Sequence, residues 1–147
     1  MRERSRDKGR LEDMRQYALN VEKILEGVTY SDFVEDIRVY FSTMKNIEII
    51  GEAAYMLSLD FKNIHQELPW RQIIDMRHIL VHGYAQVSSK DLWDTANDDI
   101  RPLREQIERY LADRAIPCRY RLGTVGKRMT KKNTLVKFTA IRSLLDW

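Results

Sequence analysis

Leu92, Ala96, Ile100, Leu103, Ile107 and Leu111 step along the chain by three or four residues. That spacing gathers all six on one stripe of an α-helix and would scatter them over both faces of a strand. The same step recurs in Leu11, Met14, Ala18, Val21 and Leu25. Only six glycines and three prolines punctuate 147 residues, so long helices with short connections are expected. No alternating strand pattern stands out before the C-terminal tail.

The first helix is expected over about residues 9–26, ended by Gly27. Ser31 is placed to cap a second, long helix reaching about Leu59, with Asp32 favourable in its first turn. Phe33, Ile37, Tyr40, Phe41, Met44, Ile47, Ala54 and Leu57 would form its apolar face. Gly51 lies inside this helix and costs stability there unless another helix crosses closely. Pro69 suits the start of a third helix, which Gly83 stops. Ser88 with Asp91 resembles a capping pair opening a fourth, about residues 89–113, which Pro102 should kink. Residues 118–126 could pair as short strands and 134–147 form a short helix or strand. The fold expected is all-α: an antiparallel four-helix bundle over residues 1–114 with a basic extension, 115–147.

At 44% hydrophobic and 32% charged residues the chain reads as a soluble globular domain. No apolar run approaches the roughly 20 residues of a membrane helix. The N-terminal MRERSRDKGR has no apolar stretch behind its charges, unlike a secretory signal. Cys118 is the only cysteine, which excludes an intrachain disulfide and fits a reducing cytoplasm. The net charge of +3 divides unevenly, with residues 1–114 at −4 and residues 115–147 at +7. A basic tail suits nucleic acid or an acidic partner, or is a solvated extension.

The segment Arg77-His78-Ile79-Leu80-Val81-His82-Gly83-Tyr84 sets a permanent cation, imidazoles and a phenol within about two helical turns. Arginine grips phosphate oxygens in a planar fork, and histidine moves protons near neutral pH. These groups are what phosphodiester cleavage needs when no metal is used. On a helix Arg77 and Tyr84 share nearly one face, while His82 lies roughly 140° from Arg77. A distorted end at Gly83, or a second copy of the site, could bring them to one substrate. In a two-chain cleft, His82 could supply both a general base for the 2′-hydroxyl and a general acid for the leaving oxygen. Arg77 would then stabilise the charged transition state.

Taken singly, each residue has a commoner structural explanation. Arg77 could pair with Asp75 or another acid at the helix end. His82 could serve the helix terminus, and Tyr84 could be a half-buried aromatic. His78 and His82 form an i, i+4 pair able to bind zinc, with a third ligand from His65, Glu52 or Asp75. The segment lacks the glutamate that a metalloprotease places after its first histidine. Glu52, within Ile49-Ile50-Gly51-Glu52-Ala53-Ala54, needs a partner if buried; Arg77 is the candidate, and an exposed Glu52 is the alternative. Trp70, Trp93 and Tyr84 could stack on bases, although tryptophans more often pack.

The R-x-x-x-x-H-x-Y motif, the run IIGEAA at 49–54, LPW at 68–70 and VSSKDLWD after the motif resemble HEPN-domain proteins. More narrowly, they are similar to the HepT toxin of HEPN/MNT toxin–antitoxin pairs. The resemblance covers about residues 9–112. It implies a dimerising all-α bundle and a metal-independent endoribonuclease, without cofactor, whose site combines Arg77 and His82 of two protomers. Tyr84 matches the tyrosine that the partner, a nucleotidyltransferase antitoxin, modifies with AMP. Negative phosphates would then occupy the place of an RNA phosphate. Glu52, His78 and Asp75 are expected as supporting residues. The family often carries asparagine directly after the arginine, where this chain has His78, and residues 115–147 match nothing in the family pattern. A HEPN module that docks a nucleotidyltransferase and helps bind nucleotide without cleaving RNA is the alternative. A plain homodimeric bundle with a relict site is a third.

Overall fold

The computed structural model describes residues 2–113, and the side chains of residues 6–83 and 85–113 within them. Among the described residues there are helices and no strands: α1 (Arg2–Ile24), α2 (Tyr30–Glu35), α3 (Ile37–Met56), α4 (Leu59–Ile64), α5 (Trp70–His82), α6 (Ser89–Asp94) and α7 (Ile100–Ala112). A 3-10 turn, Tyr84–Gln86, follows α5, and a π-helical turn, Thr95–Asp99, joins α6 to α7. The basic extension, with its expected strand pair and final helix or strand, lies outside the described residues.

Helix α3 packs between α1 and α5, and α1 packs against α7 on its other side. Asp7 of α1 accepts from Ser58 beyond the end of α3, and Asn20 bonds Asn46 near its middle. These pairings run in opposite directions, so α1 and α3 are antiparallel. The two stripes read from sequence lie in the core together with Ile47 and Ile50 of α3 and Ile73 of α5, and Leu111 is only partly buried. Leu11, Met14, Ala18, Val21, Ile100, Leu103 and Ile107 are essentially sealed from water, and Leu92 and Ala96 nearly so. Burying each of the larger of these side chains contributes about 1.5–3 kcal/mol, before the chain entropy that opposes it. No helix among the described residues is long and apolar enough to cross a membrane.

The expected long second helix is broken. Thr29, not Ser31, caps α2: its hydroxyl accepts from the Asp32 N–H, and the Asp32 carboxylate accepts from the Thr29 N–H in return. Asp36 then leaves the helical region at φ −89°, ψ 100°, and its carboxylate accepts from the Arg38 N–H to start α3. That cap holds the Asp36 carboxyl at about 2, chiefly through its hydrogen bonds from Arg38. The break resets the helical phase. Phe33 is buried, whereas Ile37 and Phe41, expected on the same inner face, are 67% and 52% exposed.

Gly27 ends the first helix as expected, at φ +71°, where a side chain would be strained. Ser88 caps α6 through the Asp91 N–H, also as expected. The disturbance expected from Pro102 takes the form of the π turn just before it. Proline has no N–H for the carbonyl of Asp98, and its ring crowds that oxygen, so the preceding turn widens. The turn buries Asp99, and that burial pushes its carboxyl up to about 7, with Asp98 and Asp94 adding to the rise.

Candidate active site

Helix α5 is held by one apolar face. Trp70, Ile73, Met76 and Leu80 point into the core, spaced by three and four residues. The opposite stripe carries Arg71, Asp75, His78 and His82, with both histidines exposed. Arg77 falls within the inner arc, between Ile73 and Trp70, on the side beside α3. Gly51 makes that approach possible: a Cβ there would collide with the Arg77 Cβ and sit 3.1 Å from the Ile73 carbonyl oxygen. The close crossing expected from a glycine inside a helix is therefore found, and it falls at Arg77.

Glu52, one residue on, reaches the Arg77 Nε at 2.5 Å through Oε2. That oxygen is itself sealed from solvent, with no N–H aimed straight at it, so the contact is one of charge more than of an aligned hydrogen bond. Arg77 keeps 28% of its side chain exposed, and neither of its Nη groups has a hydrogen-bond partner among the described residues. A guanidinium gripped from behind and open at its fork is suited to receive phosphate oxygens. Asp75 does not take part in this pair; it lies 3.8 Å from Arg71 instead.

The α-helical ladder stays regular through His82, where the Gly83 N–H donates to the Ile79 carbonyl at 2.7 Å. No distortion of the helix end turns His82 towards Arg77. Within one chain the two remain roughly 140° apart around the axis. The His78 and His82 rings stand next to one another, 4.8 Å between centroids. Among the described residues no three His, Cys, Asp or Glu side chains gather as a metal site. His65 packs elsewhere, against Phe61 and Tyr110, where burial pushes its imidazole down. Tyr84 opens the 3-10 turn after Gly83, and its side chain is outside the described ones.

Trp70 and Trp93 are packing residues. Trp70 is buried and donates from Nε1 to the His65 carbonyl, and Trp93 packs against Phe33 and Tyr30. One residue at the site escaped the sequence reading. The Tyr55 ring lies 5.5 Å from the Arg77 Cζ. Its signal was its spacing: residues three apart on a helix are neighbours, so once Glu52 faces Arg77, Tyr55 does too.

The chain is 35% identical over 99 residues to the protein named probable ribonuclease HepT of Thermococcus cleftensis, covering 67% of this chain and 90% of that one. It is 33% identical over 87 residues to a candidate RNase of Caldanaerobacter subterraneus, covering 59% and 78%. A candidate RNase of Methanocaldococcus jannaschii is 26% identical over 98 residues, covering 67% and 90%. No solved structure matches the chain. The family model described as "Ribonuclease HepT-like" matches residues 14–110, which takes in Gly51, Glu52 and the whole Arg77–Tyr84 segment, and the chain belongs to that family.

Proposed function

We propose that the chain is a metal-independent endoribonuclease, the toxin of a toxin–antitoxin pair. Arg77 and His82 are its catalytic residues. The observation that carries this is the state of Arg77: paired at Nε with Glu52, without a partner at either Nη among the described residues, and on the same helix as a solvent-facing His82. The family membership and the RNase names of the relatives support it.

The regular helix bears on how the site is completed. Since Arg77 and His82 diverge within one chain, two chains meeting along α5 would supply the second set of groups. One His82 takes the proton of the 2′-hydroxyl as its oxygen bonds to phosphorus. The partner's His82 protonates the leaving 5′-oxygen as the P–O bond breaks. Arg77 neutralises the charge that builds on the non-bridging oxygens. The regulator is an MNT-type nucleotidyltransferase antitoxin that places AMP on Tyr84, and the added phosphates occupy the space of the substrate's own.

The test is cleavage of RNA in EDTA by the full chain, shown by intact mass to be free of AMP. Arg77→Ala and His82→Ala are assayed beside it, with the oligomeric state recorded. Cleavage that survives chelation and disappears in both variants is the expected result. An adduct-free dimer that cleaves none of several RNAs would leave the nucleotidyltransferase-docking module as the better account. Cleavage that EDTA abolishes would turn attention to His78 and His82 as metal ligands. A fully active monomer would sink the two-chain site.

A further inference from the structure

Tyr55 has no place in the chemistry above, yet it stands beside it. It lies one turn beyond Glu52 on α3, with its ring 5.5 Å from the Arg77 Cζ and 54% of the residue exposed. One side of the ring is turned to a cation, and much of the rest is open to water. Met56, next to it, is 48% exposed. A flat apolar ring held against an arginine whose outer nitrogens have no partner among the described residues offers two things at once. The fork can take a phosphate, and the ring can take a flat, apolar partner. The guanidinium carbon and the ring centroid are 5.5 Å apart, so one nucleotide can reach both groups.

We propose that Tyr55 is a stacking platform for a nucleobase adjoining the phosphate bound by Arg77, which makes single-stranded or looped RNA the substrate class. The proposal rests on the ribonuclease reading above. Base faces are available in unpaired RNA and hidden in duplex RNA, and stacking on an aromatic ring is tolerant of base identity. The contact to Arg77 contributes twice. It orients the ring by covering one face and leaving the other for a base, and it places positive charge behind the platform, which favours an anionic strand over an uncharged partner. Tyr55 is therefore a substrate-binding residue, distinct from Glu52, which positions Arg77.

The experiment measures binding of a short labelled RNA to the full chain carrying His82→Ala, so that affinity is read without cleavage. Tyr55→Ala, Tyr55→Phe and Tyr55→Leu are compared in that background, on single-stranded RNA, its duplex, and a strand whose bases are replaced by abasic sites. Tyr55→Ala should weaken single-strand binding by about 5- to 100-fold, Phe should restore it to within about 2-fold, and Leu should not. Duplex and abasic RNA should bind all four proteins alike. Equal affinities for Tyr55 and Tyr55→Ala on the single strand would overturn the proposal, as would a Phe variant no better than Ala. A Tyr55→Ala protein that sediments as a smaller species would overturn it too, and assign this face to a second copy of the chain. The same variants with His82 intact are assayed for cleavage. If the unaltered chain does not cleave RNA, the ribonuclease reading fails, while the binding series still decides whether Tyr55 stacks on bases.

Discussion

Gly51→Ala separates helix propensity from tertiary packing, because the two predict opposite signs. In an isolated helix alanine is favoured over glycine by about 1 kcal/mol, so α3 considered alone gains from the change. The neighbourhood reverses this. The new methyl would overlap the Arg77 Cβ and lie 3.1 Å from the Ile73 oxygen and 3.2 Å from the Arg77 Cα. These atoms belong to the stem and backbone of α5, not to a flexible side-chain end, so the helix itself must retreat. Carbon atoms pack at roughly 3.5–4.0 Å, so the separation required is about 1 Å. Overpacking of this kind costs roughly 1–3 kcal/mol, and setting the upper part of that range against the gain in propensity leaves a net loss of about 2 kcal/mol. In thermal unfolding followed by circular dichroism, Tm should fall by roughly 8 °C. Gly9→Ala is the control, since a Cβ at Gly9 of α1 meets nothing within 4 Å. It should stabilise by up to about 1 kcal/mol. Activity provides a second readout. A shift of about 1 Å in the α5 backbone carries Arg77 off Glu52, and misplacement on that scale can reduce kcat by about 100-fold. A Gly51→Ala protein as stable and as active as the parent would refute the close crossing and the placement of Arg77 derived from it.

Glu52→Gln keeps the shape of the side chain and removes its charge. The pair is partly exposed, so the change should cost under about 1 kcal/mol in denaturant unfolding. RNA cleavage should fall by about 10-fold or more as the Arg77 fork loses its anchor, and a variant with unaltered kcat would refute the positioning role. Asp99 predicts a pH dependence of stability. Its carboxyl is raised to about 7 by burial, so the folded state holds a proton that the unfolded chain releases near pH 4. The stability this confers is complete below the unfolded value and is lost as pH rises from about 4 through 7. Asp99→Asn should therefore leave the protein little changed at pH 4 and stabilise it at pH 8, by on the order of 2 kcal/mol once about half of the shift is discounted for solvent. Parallel Tm–pH curves for the two proteins would show that Asp99 does not titrate in this way.

The helices and their inner faces were legible because periodicity is a local property. Leu11 to Leu25 and Leu92 to Ile107 are spaced for a buried stripe whatever lies opposite, and they are buried. Gly27 and Ser88 act within a turn of their own positions, so they too could be read from the chain. Asp36 could not. It interrupts a pattern that looks continuous, and whether a carboxylate caps a new helix or sits on the surface of an old one depends on the direction the chain must take next. Ile37 and Phe41 consequently moved from the expected core to the surface.

At the site, local pattern determined which groups are present and how they are spaced: Arg77, His78, His82 and Tyr84 on one helix and its exit, with Gly51 and Glu52 on another. Tertiary structure decided which of them meet. Glu52 rather than Asp75 pairs with Arg77, because Gly51 lets α5 approach α3 at that one residue while Asp75 sits on the outer stripe beside Arg71. Tyr55 joins the site for the same reason. Pairings between residues some 25 positions apart are set by how two helices cross, and the crossing follows from side-chain volumes on both helices together. A single segment read alone carries only half of that information.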